Sequence, residues 1–229
     1  MNTLTTHPNK LPVDIERVSD FYKRGIAKFG AHTIQAACWS SSDLALQCYH
    51  AISQSQIQDW QQIKSVLDFG SGQGHLLPFI RQMRGFRGTY LGVELLPEFH
   101  HVAMQLYATD KSAEFVCSDF LSYDFQDQVF DWVISLGSFG VAQPQQVESD
   151  IANVRKISTL ARRGFSIYLN DVNKMNSVPK DLAAHDLGKF SSLILEQHPD
   201  AQLDFVWFPT PESYQSVIHV LLNQTASKI

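Results

Sequence analysis

The sequence predicts an α/β protein: a doubly wound, mostly parallel seven-stranded sheet with helices on both faces, a C-terminal antiparallel hairpin and an N-terminal helical lid. Three observations predict it. From about residue 64, short apolar runs alternate with segments of helical periodicity, and that βαβ order builds parallel sheets. The last two β-rich runs, "AQLDFVWF" and "SYQSVIHVLL", are separated only by "PTPE", short enough for a hairpin and too short for a helical crossover. Residues 1–63 lie outside the repeating unit and hold two amphipathic segments. We therefore divide one overall domain into an N-terminal helical extension or lid, 1–63, and a Rossmann-like core, 64–229.

The elements follow in order. Residues 1–10 read as a flexible tail. Over residues 12–29, Val13, Ile15, Val18, Phe21, Ile26 and Phe29 recur at roughly helical spacing, and Gly30 stops the helix. Ser41 or Ser42 caps a second helix whose apolar face holds Leu44, Ala45, Cys48 and Ile52. "SVLDFG" is a short buried strand, and "HLLPFIRQM" a helix that tolerates Pro78 in its first turn or so. "TYLGVE", "AEFVCSD" and "FDWVISLG" are the next strands; "PEFHHVAMQLYA" is the helix between the first two, with Pro97 in its first turn. "PQQVESDIANVRKISTLARRG" reads as a helix closed by basic residues and Gly164. "FSIYLNDV" is strand five, residues 172–186 are loop-like, and "DLGKFSSLILEQ" is helical.

Composition bounds the function. The chain has 229 residues, 44% hydrophobic and 18% charged, which suits a soluble globular protein with a substantial core. The net charge of −5 and the dispersed basic residues disfavour nucleic acid and anionic membranes as partners. No apolar run is long enough to span a bilayer, and the polar N-terminus lacks the apolar stretch of a secretory signal. Cys38, Cys48 and Cys117 are too few and too scattered for a disulfide framework or a zinc cluster. A reducing, cytoplasmic location is the expectation.

The chemistry gathers at "VLDFGSGQGHLL", residues 66–77. Glycines there serve either a tight strand-to-helix turn or a loop on which a nucleotide-like ligand lies. Gly70 and Gly72 let the backbone approach a ligand closely, and the helix starting near His75 offers unpaired N–H groups. Two further acids favour the ligand. Glu94 ends the second strand, where a carboxylate accepts from both ribose hydroxyls. Asp119 ends the third, followed by Phe120, where a carboxylate accepts from an adenine amine and apolar side chains sandwich the ring. A lone acid after a strand is ordinarily a cap or turn residue, but three on one sheet edge argue together. A P-loop is excluded, since no Gly-Lys-Ser/Thr follows. A dinucleotide fingerprint needs its third glycine where His75 stands, and Asp68 would repel a pyrophosphate while suiting an amino group and a sulfonium.

"DFGSGQG", "GVE", "SDF" and "FDWVISLGSF" together resemble class I S-adenosylmethionine-dependent methyltransferases. The resemblance covers residues 64–221, and the terminal hairpin sets that fold apart from dinucleotide-binding domains. The front segment, "FYKRGIAKFG" then "CWSSSDLALQ", is similar to the start of a bacterial branch whose substrates are undefined. The resemblance implies S-adenosylmethionine as cofactor and S-adenosylhomocysteine as product. It implies that Gly70, Gly72 and Gly74 line the methionine moiety and that Asp68 orients the loop and receives the α-amino group. Glu94 would hold the ribose, Leu95 flank the adenine, Asp119 meet its N6 and the Phe120 N–H a ring nitrogen. Leu136 and Gly137 would lie beneath the methionine portion. Trp39 or Ser40 would touch the cofactor from a lidding segment, the alternative being a core tryptophan. Strand four ends in "LGSF" rather than an Asn/Asp-Pro-Pro-aromatic run, which disfavours base methylation of nucleic acid.

Methyl transfer from a sulfonium needs alignment first, and a base only where the nucleophile carries a proton. Candidates for that base are His75, Asn170, Asp171, His185 and Asp186. His75 reads equally as a first-turn polar residue, and Asn170–Asp171 as a strand-ending turn. His100–His101 face different directions on a helix, so a metal pair is disfavoured and solvent exposure expected. The expected function is methyl transfer to a small molecule or a protein side chain. The alternatives are a non-catalytic cofactor-binding protein of the same fold and a nicotinamide-dependent oxidoreductase, the latter disfavoured by the early third glycine and Asp68. Oligomeric state has no sequence signal.

Overall fold

Strand β1, Ser65–Phe69, is the centre of the sheet, and its alternation explains the layers on either side. Leu67 points into one core and Val66 into the other, both fully buried. The structure is a computed structural model that describes residues 13–210 and 213–223. The expected tail, the proline at position 12 and the hairpin tip at 211–212 lie outside those residues.

In chain order the elements are α1 (Ile15–Phe29), a 3-10 turn (Ile34–Ala37), α2 (Ser42–Ile52), β1, α3 (Leu76–Arg84), β2 (Thr89–Glu94), α4 (Pro97–Leu106), β3 (Ala113–Cys117) and β4 (Phe130–Ser135). Then come α5 (Gln146–Leu160), β5 (Ala161–Met175), α6 (Leu187–Gln197), β6 (Gln202–Pro209) and β7 (Ser213–Leu221). The sheet order is β3-β2-β1-β4-β5-β7-β6. β1 to β5 pair in parallel and β7 runs antiparallel between β5 and β6, as the short hairpin connection requires. The strand order reverses between β1 and β4, which opens a crevice at the carboxyl ends of the strands.

Helices α5 and α6 cover one face through Val154, Ile157, Phe190 and Ile194. On the other face Ile52 of α2 and Leu77 and Ile80 of α3 close over Val66, Trp132 and Val217. The buried Trp132 indole donates to Ser166 Oγ at 2.8 Å; that hydroxyl pairs with His219 Nδ1 at 2.7 Å, and His219 Nε2 reaches the Ala51 carbonyl at 3.0 Å. This relay satisfies the Trp132, Ser166 and His219 side chains and ties α2 to the sheet.

Three expectations are corrected. The helix before strand five ends at Leu160, and Arg162, Arg163 and Gly164 belong to β5. Gly164 is no helix cap: a Cβ there would lie 2.2 Å from the Val220 carbonyl oxygen and 2.6 Å from the Trp132 ring, so close strand packing requires its absence. Asn170–Asp171 likewise lie within β5 rather than after it. Finally, α2 packs on a face of the sheet, where the sequence reading has both N-terminal segments dock on the carboxyl edge. The β5–β7–β6 side of the sheet is joined by a hairpin and receives no crossover helix on one face; α2 fills that vacancy. Helix α1 alone stands over the carboxyl edge, packed on the 3-10 turn and on Phe99 at the start of α4.

Candidate cofactor site

The chain leaves β1 through Gly70 and Gly72, both with positive φ (76° and 55°). Nothing lies within 4 Å of where a Cβ of Gly72 would sit, so this backbone faces open space. Gly74 is different. Its Cβ would strike Tyr107 at 2.8 Å and Phe115 at 2.9 Å, and its carbonyl accepts from the Tyr107 hydroxyl at 2.9 Å. It packs the loop onto α4 and β3, whereas Gly70 and Gly72 line the cleft.

Two carboxylates flank this loop. Asp68, next to last in β1, is only 2% exposed; the Tyr90 hydroxyl donates to its Oδ2, and its buried Oδ1 has no partner. Glu94 ends β2 at 5% exposure, accepting from Gly72 N–H at 2.8 Å and Leu96 N–H at 2.7 Å. Burial pushes the Asp68 carboxyl up to about 7, opposed by the Tyr90 hydrogen bond and reinforced by the nearby Glu94 charge. Burial pushes Glu94 up to about 7 as well, with the Leu96, Gly72 and Leu95 amides pulling the other way. Two acids this poorly solvated await a cationic or hydroxyl-rich ligand.

The same cleft is lined by Leu95, Asp119, Phe120, Leu136, Gly137 and Trp39. Asp119 accepts from Ser122 N–H at 2.8 Å, so it also pins the turn after β3. Phe120 stacks on Phe69 with ring centroids 3.9 Å apart. Half-buried His75 sits at the entry to α3 and lines the cleft; burial lowers its pKa. Val13, Val18 and Tyr22 reach in from the α1 segment.

Several expected residues fall elsewhere. Ser40 lines a neighbouring cavity rather than this cleft, one residue before the Ser41 cap of α2. Asn170 lines that second cavity too, with its Nδ2 donating to the Ala183 carbonyl at 2.8 Å. Asp171 is buried and accepts from Asn173 N–H at 3.0 Å, reaching neither cavity. His185 is buried against Asp150 at 3.3 Å, and Asp186 caps α6 by accepting from Lys189 N–H at 3.1 Å. His101 is exposed, whereas His100 is half-buried and meets the Phe115 carbonyl at 3.2 Å. No group of three or more metal-ligating side chains occurs among the described residues.

Sequence reasoning missed Tyr22 and Gln73. The Tyr22 hydroxyl faces the Gly137 carbonyl at 3.4 Å. Buried Gln73 donates to the Ala31 and Thr33 carbonyls, each at 3.0 Å, and so fastens the glycine loop to the connector behind α1. Neither role has a local signal, since each depends on a partner at least 40 residues away.

Residues 66–159 match a family model described as a methyltransferase domain. No curated protein sequence matches significantly. Among solved structures, magnesium protoporphyrin IX methyltransferase from Synechocystis PCC 6803 with bound S-adenosylhomocysteine superposes with a TM-score of 0.62 at 13% identity, over 92% of this chain and 100% of that one. The plantazolicin methyltransferase in complex with a pentazolic desmethylPZN analogue and S-adenosylhomocysteine gives 0.60 at 13% identity, over 91% and 96%. A Haemonchus contortus phosphoethanolamine N-methyltransferase, in complex with phosphomonomethylethanolamine and S-adenosylhomocysteine, gives 0.62 at 12% identity, over 92% of this chain and 60% of that one. At such identities the likeness is one of fold.

Proposed function

We propose that the chain is a class I S-adenosylmethionine-dependent methyltransferase that methylates a small organic acceptor, a reading supported by the methyltransferase-domain match and the shared fold. The observation that carries this reading is the pair of buried acids, Asp68 and Glu94, at the ends of adjacent strands beside an open glycine turn. The group fits them. The unpartnered Asp68 Oδ1 suits a protonated amino group, and the Glu94 oxygens, each already holding one amide, retain lone pairs for ribose hydroxyls. Leu95, Asp119 and Phe120 would hold the adenine, and Leu136 and Gly137 the methionine portion. Trp39 would close the side toward the acceptor.

When bound, the cofactor supplies a methyl group already activated on a sulfonium. The residues of this chain then contribute alignment and exclusion of water. Helix α1 would exclude that water. The cleft encloses about 130 Å³, against roughly 300–1,000 Å³ for pockets of drug-sized ligands. Val13, Val18 and Tyr22 narrow it, so α1 has to move outward for a nucleoside to enter and return behind it. A small-molecule acceptor is supported by two fold neighbours solved with small-molecule ligands, the desmethylPZN analogue and phosphomonomethylethanolamine.

Titration calorimetry with S-adenosylmethionine, S-adenosylhomocysteine and NAD tests the cofactor, and labelled-methyl transfer to extracted metabolites tests turnover. Preference for the sulfonium cofactor with label transferred is expected. Binding without transfer would leave a cofactor-binding protein of this fold, and preference for NAD would overturn the reading.

A further inference from the structure

A second cavity, of about 620 Å³, adjoins the cofactor cleft. The two share Tyr22, Ala37, Trp39 and Gly137, so these four residues form the boundary between them. The far wall is built by Phe21, Leu44, Tyr168, Met175 and Leu182. Trp39 meets Tyr168 edge to face, with centroids 5.8 Å apart, which fixes both rings. Its polar groups are neutral amides, hydroxyls and the Cys38 thiol, and among the described lining residues there is no Asp, Glu, Lys, Arg or His. The arginines of α1 that pass nearby are turned to Asp181: Arg24 at 2.9 Å and Arg17 at 3.9 Å.

We propose that this cavity receives the methyl acceptor and selects an uncharged aromatic molecule bearing an O–H or N–H group. The proposal rests on the methyltransfer reading above. Three features carry it. The shared boundary puts a ligand of this cavity beside the one place where a methyl group can be handed across. A carboxylate or phosphate entering here would lose its hydration and find no cation among the described residues, a cost that a neutral ligand avoids. Flat rings gain contact from Trp39, Tyr168 and Phe21, as aromatic ligands do in such walls. Asn170 supplies orientation: its Nδ2 donates to the Ala183 carbonyl, which fixes on the cavity wall an amide whose oxygen would accept from the acceptor's O–H or N–H. The acceptor's oxygen or nitrogen then forms a bond to the methyl carbon, the C–S bond breaks with its electron pair on sulfur, and the O–H or N–H proton leaves to water at the cavity mouth.

Protein saturated with S-adenosylhomocysteine is titrated by ligand-observed NMR with naphthol, with its carboxylated counterpart hydroxynaphthoate and with phosphoethanolamine. Naphthol should bind at least tenfold tighter than either charged probe. Met175→Lys, which puts a cation on the wall, should weaken naphthol tenfold or more while the affinity for S-adenosylhomocysteine stays unchanged, a control that also reports folding. Equal or tighter binding of a charged probe overturns the proposal. So does naphthol binding that is absent, or indifferent to Met175→Lys, in protein that holds S-adenosylhomocysteine. Failure to hold S-adenosylhomocysteine at all would instead overturn the cofactor reading.

Discussion

Glu94 joins two roles that the sequence alone separates. As a strand-end acid it faces the cleft, and as a buried acceptor it holds Gly72 and Leu96 N–H groups. Glu94→Ala should therefore weaken S-adenosylmethionine binding by about tenfold to a hundredfold, from loss of charge-assisted hydrogen bonds worth roughly 1.5–3 kcal/mol. It should also lower the melting temperature of the free protein, since two backbone donors lose their partner. Calorimetry and a thermal melt on the same sample separate the effects; an unchanged affinity would remove Glu94 from the site. Asp68 and Glu94 also make cofactor affinity depend on pH. Both carboxyls are raised to about 7 in the free protein, and a ligand with a sulfonium and an ammonium favours their ionised forms. Binding should release protons near neutrality, and affinity should rise between about pH 6 and 8, then level off. Calorimetry in buffers of different ionisation enthalpy reads the released protons; affinity that falls over this interval would contradict the assignment. The positive-φ glycine turn and the acids beside it were legible as local structure, because a strand end and its turn are adjacent in sequence. The packing of Gly74 was not, because Tyr107 and Phe115, which it packs against, come from later elements.

At the scale of elements, α1 is a helix held lightly. None of its residues is fully buried, and its polar fastenings are the Asp14 N–H to Gln143 at 2.8 Å, the Tyr22 contact and the exposed arginine pairs with Asp181. Exposed ion pairs contribute roughly 0–1 kcal/mol each. Its amides should exchange faster than those of α3 or α5 in the free protein and slow when S-adenosylmethionine is added. Replacing both Arg17 and Arg24 by Ala should speed cofactor association and release several-fold in stopped flow, with melting temperature almost unchanged. Exchange in α1 indifferent to cofactor would mean that the helix only packs. The amphipathic period and the Gly30 stop made α1 legible; where it docks depends on Phe99 and Leu96, which no local pattern announces. The end of α5 was misread for a related reason. Basic residues followed by glycine mimic a helix terminus, but Gly164 is there for Trp132 and Val220. Gly164→Ala should destabilise by about 1–3 kcal/mol through overpacking against backbone that cannot yield. A denaturant midpoint equal to the parent protein's would refute that account.

For the whole molecule, the mostly parallel sheet with its terminal antiparallel hairpin was the most legible feature and the division of labour among helices the least. Alternating apolar runs and a short final connection leave few topologies open, and the observed sheet follows. The use of α2 was not legible because it answers a shortage that exists only in three dimensions: a hairpin at one edge supplies strands without supplying a helix. The same global view bears on partners. A net charge of −5 gives no long-range attraction to a polyanion, and the cleft itself concentrates two buried acids at its base. Phosphate contacts from Lys and Arg dominate nucleic-acid affinity, yet Arg17, Arg24, Arg81 and Arg162 are each engaged with an aspartate of this chain. Duplex DNA and single-stranded RNA should therefore show no gel shift at physiological salt and only weak binding at low salt. A tight complex whose affinity falls steeply with added salt would reveal a basic surface that neither the charge balance nor these pairings accounts for, and it would reopen a nucleic-acid acceptor in place of a small aromatic one.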